Sequence, residues 1–332
     1  MGPPERFEDR SSTPPAVSII TVIKKGNEAV FLPSLRNQEY GLPFEVVIVE
    51  GGNRSQARNF AVAESRAPLI SFIDADCEAP SRWLSDLVLS LPEDQAFAGV
   101  GGVSSGKNPS STLERTIDAV FATYLGTLNS PSLISVRDTK RYVVNAISGH
   151  NCVYRRTALM EVGGFDRRFQ LNEDTDLCAR LREKGYRLLV DRSISVYHKR
   201  RGTVADFARQ FFWYGVGRIR SMLMDRRYVD GRILALFLMG VLLFSLTPVL
   251  PLLVEAVLSG YLFAVIVAAL VGARRIGAMK LLPVIVTLFV IEHFSYFIGL
   301  IVGTFLGRWG ETEMPDYMRI ERYLISPGSN RT

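Results

Sequence analysis

From residue 233 to residue 306 the chain is nearly free of charge, whereas the residues before it mix apolar and charged side chains throughout. No other feature restricts the possible folds as much. The apolar runs 233–250, 252–272 and 281–306 each approach the roughly 20 residues that a bilayer hydrocarbon core requires. Pro248 and Pro251 mark the first turn between them, and Arg274, Arg275 and Lys280 mark the second. The net charge of +6 is concentrated just upstream, where Arg200, Arg201, Arg209, Arg218, Arg220, Arg226, Arg227 and Arg232 crowd together. Basic side chains that stop where apolar spans begin suit anionic lipid headgroups better than nucleic acid, so membrane lipids are an expected partner and nucleic acid is not. The expectation is an integral protein of the cell membrane with three spans in a 231–307 domain and its soluble half in the cytoplasm. Three crossings would carry the tail, 308–332, to the far side. Arg308, Arg319 and Arg322 argue for the near side, so its position stays open.

The first two thirds of the chain reads as α/β. Runs 16–23, 44–49 and 69–73 are apolar and β-branched without alternation, as in parallel strands buried on both faces. Between them lie a helix over 28–38 and one from Gln56 to about Ser65 capped by Ser55. Strand, helix, strand, helix, strand at this spacing implies a doubly wound, mostly parallel sheet whose ligands lie beyond the carboxyl ends of its strands. Further on, the patterns predict a helix over 83–91, a strand over 97–103, an amphipathic helix over 111–128, and strands over 143–147 and 151–154. A helix opening at Glu173-Asp174 and short strands over 187–191 and 194–197 follow. Residues 203–222 form an aromatic, arginine-flanked helix suited to a membrane interface, within a 203–230 segment. Residues 1–15 are polar and proline-rich, are expected to be disordered, and lack the apolar core of a signal peptide.

The third strand ends in Asp74-Ala75-Asp76. Strand alternation would point both carboxylates the same way, and two hard oxygen ligands at a strand end suit Mg2+ or Mn2+. A solvated turn is the plainer reading of such a tripeptide. Gly101-Gly-Val-Ser-Ser-Gly-Lys107 imitates a phosphate-binding loop, but Asn108 stands where a Ser or Thr would hold Mg2+, and Pro109 follows. Cys77, Cys152 and Cys178 lack zinc-site spacing and read as reduced, packed thiols. Glu292 and His293, in the middle of an apolar run, are either functional or packed as a pair.

Several motifs in order resemble the family-2 glycosyltransferases, and especially their membrane-attached branch of cellulose synthases and dolichyl-phosphate sugar synthases. They are Val46-Val-Ile-Val-Glu50-Gly-Gly-Asn53, Ala57-Arg58-Asn59, Asp74-Ala75-Asp76, Gly163-Gly164-Phe165-Asp166, Glu173-Asp174, and Gln210 with Trp213 and Tyr214. The resemblance covers about residues 16–220. Two departures stand out: only the first acid of the strand-end pair is kept, as Glu50, and Trp213 occupies the place of the family's arginine.

The resemblance implies a GT-A catalytic domain over 16–202 and a divalent cation, Mn2+ or Mg2+, held by Asp76 and His198. Glu50, Arg58, Asp74 and Glu173 would lie at the nucleotide sugar. Asp174 would be the general base, and Gln210, Trp213 and His150 would lie on the acceptor side. It also implies inverting transfer to a lipid-linked acceptor, a polyprenyl or dolichyl phosphate or a sugar carried on one, in glycan or glycolipid assembly. GDP-mannose is the leading donor, with UDP-glucose next. The rival from another class is a non-catalytic membrane scaffold that keeps the fold for partner binding. A plain helix cap remains the alternative for Asp174, a polar strand end for Glu50 and a surface histidine for His198.

Overall fold

In the computed structural model, residues 14–23, 32–106, 111–127, 140–169, 171–307 and 318–326 are described. In chain order these form β1 (Val17–Ile23), α1 (Leu32–Arg36), β2 (Phe44–Glu50), α2 (Arg54–Glu64), β3 (Leu69–Ile73), β4 (Cys77–Glu78) and α3 (Trp83–Ser90). Then come β5 (Phe97–Ser105), α4 (Thr112–Phe121), α5 (Tyr124–Thr127), β6 (Arg141–Val144), β7 (Asn151–Arg155), α6 (Arg156–Glu161), α7 (Glu173–Glu183) and β8 (Arg187–His198). The chain continues through α8 (Val204–Met224), α9 (Gly231–Leu246), α10 (Pro251–Arg275) and α11 (Leu282–Leu306) to β9 (Arg319–Ile325). They sort into two compact units: a sheet unit up to Ser105, from 140 to Lys199 and over 318–326, and a helical unit containing α4, α5 and α8 to α11.

The sheet unit is a mixed α/β sheet in the order β4-β8-β5-β7-β3-β1-β2-β9, with β6 also on β8. β1 pairs in parallel with β2 and β3, and β5 with β8; β7, β4, β6 and β9 run antiparallel to their neighbours. The unalternating apolar runs are buried on both faces, as their sequence requires: Ile20, Val47, Ile70 and Phe72 face one core, and Ile19, Val46, Ile48 and Ile73 face the other.

Local chemistry moved several boundaries. Asn53, not Ser55, caps α2: its side chain accepts from Gln56 N at 2.9 Å while Gln56 Oε1 accepts from Asn53 N at 3.2 Å, a reciprocal pair that starts the helix at Arg54. Ser55 instead donates to the Phe169 carbonyl at 2.9 Å. The helix expected over 111–128 is broken after Phe121, because the Thr123 hydroxyl donates to Val120 O and accepts from Gly126 N, ending α4 and starting α5. The two strands expected within 187–197 are one, β8, with a register shift against β5 where Asp191 takes hydrogen bonds from Ser193. The start of the expected 28–38 helix lies outside the described residues.

The largest difference concerns the division of the chain. The catalytic half was expected as a contiguous 16–202 and 308–332 as a separate tail, yet β9 pairs along the whole of β2, from Phe44↔Ile325 to Glu50↔Arg319. Arg322 of β9 also lies 3.4 Å from the carboxylate of Glu45, a fully buried residue of β2 that accepts from Ser18 Oγ at 2.5 Å.

In the helical unit, α8 runs parallel to α11. Arg220 Nε donates to Gly307 O at 2.9 Å, and Gly215, Gly299 and Gly303 let the two backbones touch: a Cβ on Gly215 would collide with the Tyr296 carbonyl, and one on Gly299 with that of Phe212. α4 packs on α10 and α11 through Ile117, Val120 and Phe121 against Val265, Ala269, Ile285 and Phe289. Among the described residues, two helices, α10 and the 279–306 segment containing α11, are long and apolar enough to cross a membrane; α9, expected as the first of three spans, has only 16 residues.

Candidate active site

The carboxyl ends of β2 and β3 each deliver an acid. Glu50 closes β2 and is half-buried, and the chain leaves it through Gly51 and Gly52 at φ +94° and +72°, backbone that glycine adopts without strain. Asp74 follows β3. The two acids of Asp74-Ala75-Asp76 are not on an extended strand as expected: Cys77 N donates to Asp74 O at 3.0 Å, so 74–76 form a turn and the side chains take different partners.

Asp76 Oδ1 lies 3.1 Å from His198 Nε2. The register Cys77↔His198 between β4 and β8 sets this approach, and the ligand atoms of Asp76, Cys77 and His198 lie within 4.8 Å of one another. A carboxylate oxygen and an imidazole nitrogen at that separation are placed as two ligands of one small divalent cation would be, so the residues fit the group. Cys77, expected as a packed thiol, is buried as expected, and its Sγ also comes near the Asp76–His198 pair. Its place directly after the acid pair was the available signal.

Asp74 Oδ1 accepts from Arg58 Nη2 at 3.3 Å. Burial alone would raise this carboxyl, but the Arg54 and Arg58 guanidiniums outweigh it and hold it below its ordinary value. Arg58 is itself 3% exposed. It donates to Glu173 Oε1 at 3.0 Å and to Gly149 O at 2.9 Å, and it lies between the Phe72 and Phe165 rings, 5.3 Å from each. Arg58 and Glu173, expected at the donor, are thus buried and bonded to each other. Their position supports a tie between α2, the end of β3, the 148–150 turn and α7 in place of ligand contact.

Asn172, the one described non-glycine residue with positive φ, at 62°, turns the chain into α7. Asp174 stands in the first turn of α7, at its positive end. Its Oδ2 accepts from Gly149 N at 3.2 Å and its Oδ1 from Thr175 N at 2.7 Å, so it is held by backbone donors of two segments. Between Asp174 and the acid pair sits His150. Its Nδ1 is 2.5 Å from Ser148 Oγ, its ring centroid is 5.7 Å from that of His198, and none of the described residues hydrogen-bonds its buried Nε2. Burial, reinforced by the neighbouring His198, lowers its pKa to about 4, so the ring is neutral at pH 7. The sheet unit therefore brings together Asp74, Asp76, His198, His150, Arg58, Glu173 and Asp174.

Gln210 and Trp213 belong to the helical unit. Gln210 accepts from Arg201 Nε at 3.0 Å and donates to the Tyr214 hydroxyl at 2.8 Å, while Trp213 is exposed with its edge on Phe212. The phosphate-loop imitation is a strand: Gly99, Gly101 and Gly102 lie in β5, where a Cβ would collide with the Val153 carbonyl, Ile147 and Asn151 respectively, so these glycines serve packing. Lys107 and Asn108 lie outside the described residues.

Comparison with known proteins identifies the family. Residues 69–306 match the family described as glycosyl transferase family group 2. The pre-mycofactocin glycosyltransferase of Mycobacterium tuberculosis is 30% identical over 162 residues, 48% of this chain and 33% of its own length. The chain thus spans only a third of that relative. The succinoglycan biosynthesis protein ExoA of Rhizobium meliloti is 27% identical over 247 residues, 64% of this chain and 72% of its own. Among solved structures, a mannosyltransferase from Pyrobaculum calidifontis in complex with GDP-Man and Mn2+ aligns over 89% of this chain and 88% of its own, with a TM-score of 0.53 and 16% identity, a likeness of fold. The match over 69–306 covers well over half of the sequence, and the chain belongs to the family-2 glycosyltransferases, with a GT-A-like α/β domain.

Proposed function

We propose that the protein is an inverting, metal-dependent hexosyltransferase that moves a sugar from a nucleotide sugar to a lipid-linked acceptor at a membrane surface. The observation that carries this reading is the pairing of Asp76 with His198 beside a separate carboxylate, Asp174, held by backbone N–H groups. Asp76 and His198 would hold the ion, Mn2+ or Mg2+. Bound there, it supplies positive charge to the departing diphosphate. The chain's own groups do the rest. Asp74, kept ionised by Arg54 and Arg58, and Glu50 would grip the ribose and the nucleoside. Asp174 accepts the proton of the acceptor hydroxyl as that oxygen attacks the anomeric carbon opposite the leaving group. One bond forms, the bond to the diphosphate breaks, and the configuration inverts. His150, in the sheet unit, is assigned to the acceptor; Gln210 and Trp213 of α8 are assigned to acceptor handling on the resemblance alone.

GDP-mannose is the first donor to test, because the protein of like fold was solved with it, and UDP-glucose is the second. A panel of nucleotide sugars with Mn2+ and a polyprenyl phosphate tests the reading directly. Asp174→Asn should lower transfer to a hydroxyl acceptor about 100- to 10,000-fold. Retained activity identifies a lipid phosphate, already ionised and in no need of a base, as the acceptor. Failure of GDP and UDP to bind in either the presence or absence of Mn2+ would overturn the enzyme in favour of a scaffold.

A further inference from the structure

Three donors of different chemistry meet at one end of the sheet. β4, last in the sheet order, pairs antiparallel with β8 so that Cys77 stands opposite His198 and Glu78 opposite Tyr197. Residues directly opposite in an antiparallel pair carry their side chains on one face. The thiol and the imidazole are therefore neighbours by register. Asp76, next to Cys77, would point to the other face if it continued the strand. It does not, because 74–76 form a turn closed by Cys77 N on Asp74 O at 3.0 Å, and Lys199 N donates to Asp76 O at 3.2 Å. The turn leaves the Asp76 carboxylate 3.1 Å from His198 Nε2.

The result is an oxygen, a nitrogen and a sulfur all within 4.8 Å of one another. Ligands on opposite sides of one transition-metal ion stand about 4.0–4.6 Å apart. Burial orders the three. Cys77 is 1% exposed, whereas Asp76 and His198 both keep contact with solvent, so the sulfur forms the inner end of the cluster. The other two thiols differ. Cys152 and Cys178 belong to the second of the two cores, where Cys178 Sγ lies 3.5 Å from the Tyr154 hydroxyl and 3.4 Å from Ile147 N. Among the described residues neither joins a group of three metal-ligating side chains.

We infer that Cys77 is a third protein ligand of the cation held by Asp76 and His198, and that its sulfur biases the site toward first-row transition-metal ions over Mg2+. Mg2+ demands a near-ideal octahedron rich in oxygen and water. Imidazole and thiolate suit softer ions, and a mixed oxygen, nitrogen and sulfur set gains affinity along the series from Mn2+ to Zn2+. As the cation binds, the thiol gives its proton to solvent and the sulfur takes the ion in its place. The inference rests on the metal-dependent reading above and narrows its choice between Mn2+ and Mg2+. A thiol that only fills space in the core with Ile73 and Val196 would leave cation preference untouched.

Co2+ titrated into the metal-free, solubilised full chain tests this without turnover. A thiolate on Co2+ gives a charge-transfer band in the near ultraviolet, which carboxylate and imidazole ligands do not. The unaltered protein should show the band, and C77S should bind Co2+ without it. In calorimetric titrations C77S should lower Cd2+ affinity at least about tenfold while Mg2+ affinity changes less than about threefold, and Cys77→Ala should repeat that contrast without a hydroxyl. Co2+ bound by the unaltered protein without the band overturns the assignment, even where neither variant folds. So does a band that survives C77S, or a Cd2+ to Mg2+ ratio unchanged in both variants when only the thermal midpoint falls. In each of those cases Mn2+ still binds and the Asp76–His198 site stands. Failure of Co2+, Mn2+ and Mg2+ to bind at all, alone or with GDP or UDP, defeats the metal-dependent reading and this inference with it.

Discussion

At the scale of single residues, Arg58 is a buried cation whose partners are a buried acid, Glu173, and the half-exposed Asp74. Removing it leaves Glu173 with the longer Arg54 contact at 3.4 Å as its remaining ion pair among the described residues. Breaking a buried pair in this way costs about 3–5 kcal/mol. Arg58→Ala should therefore lower the thermal midpoint of the solubilised protein sharply, with loss of nucleotide binding, whereas Asp74→Asn should leave the midpoint nearly unchanged. The acid pair itself should divide. Asp76→Asn and His198→Ala should each weaken Mn2+ binding by at least about tenfold, ~1.4 kcal/mol, and more than Asp74→Asn does; calorimetric titration of Mn2+ into each variant checks the order, and the reverse order would show the ion to be held by Asp74. His150 presents a neutral ring with an unbonded Nε2, so His150→Ala should raise the acceptor KM roughly 10- to 100-fold, the loss of one hydrogen bond to a charged or polar group. Its Mn2+ affinity should match that of the unaltered protein, and a fall in that affinity would place the ring at the ion instead.

At the scale of elements, β9 is fastened by charge as well as by its ladder. Glu45 is fully buried in β2, and Arg322 of β9, one-third exposed, is the guanidinium that answers it. Arg322→Ala should destabilise the protein by about 1–3 kcal/mol, less than a fully buried pair because water reaches the arginine. Glu45→Gln in the same chain should recover much of that loss, since the uncompensated charge is gone; denaturation midpoints of the single and double variants measure both. The α8–α11 seam is set by glycine. Gly215→Val would drive a side chain into the Tyr296 carbonyl and push two parallel helices apart, so it should cost several kcal/mol where Gly260→Ala, in open space on α10, costs little.

At the scale of the whole molecule, the sheet unit is assembled from three stretches of chain that are far apart in sequence. A chain ending at residue 307 keeps every helix and β1 to β8 but exposes the edge of β2 and leaves Glu45 buried without Arg322. Such a truncation should melt well below the full chain and lose nucleotide affinity, while one ending at residue 326 should do neither. Much of the α/β pattern was legible beforehand because buried parallel strands need unbroken apolar runs, and the order of the acid motifs was legible because the carboxyl ends of such strands lie together. The roles of Arg58 and Glu173 were not, since a polar residue looks the same in sequence whether it faces a ligand or another buried charge. The nearness of Cys77 to His198 is not legible either, because the two are distant along the chain.

By itself the sequence determined which segments must leave water, which strands must be buried, and which residues carry enough charge or nucleophilicity to act. Those properties are local, written in side-chain chemistry at a period of 2 or 3.6. Only the tertiary structure decided that Asp76 meets His198, that Asp174 is held from the 149–150 turn, and that residues 319–325 return to the sheet. Strand register and edge pairing depend on which distant segments come together, and no local pattern in 319–325 names β2 as its partner.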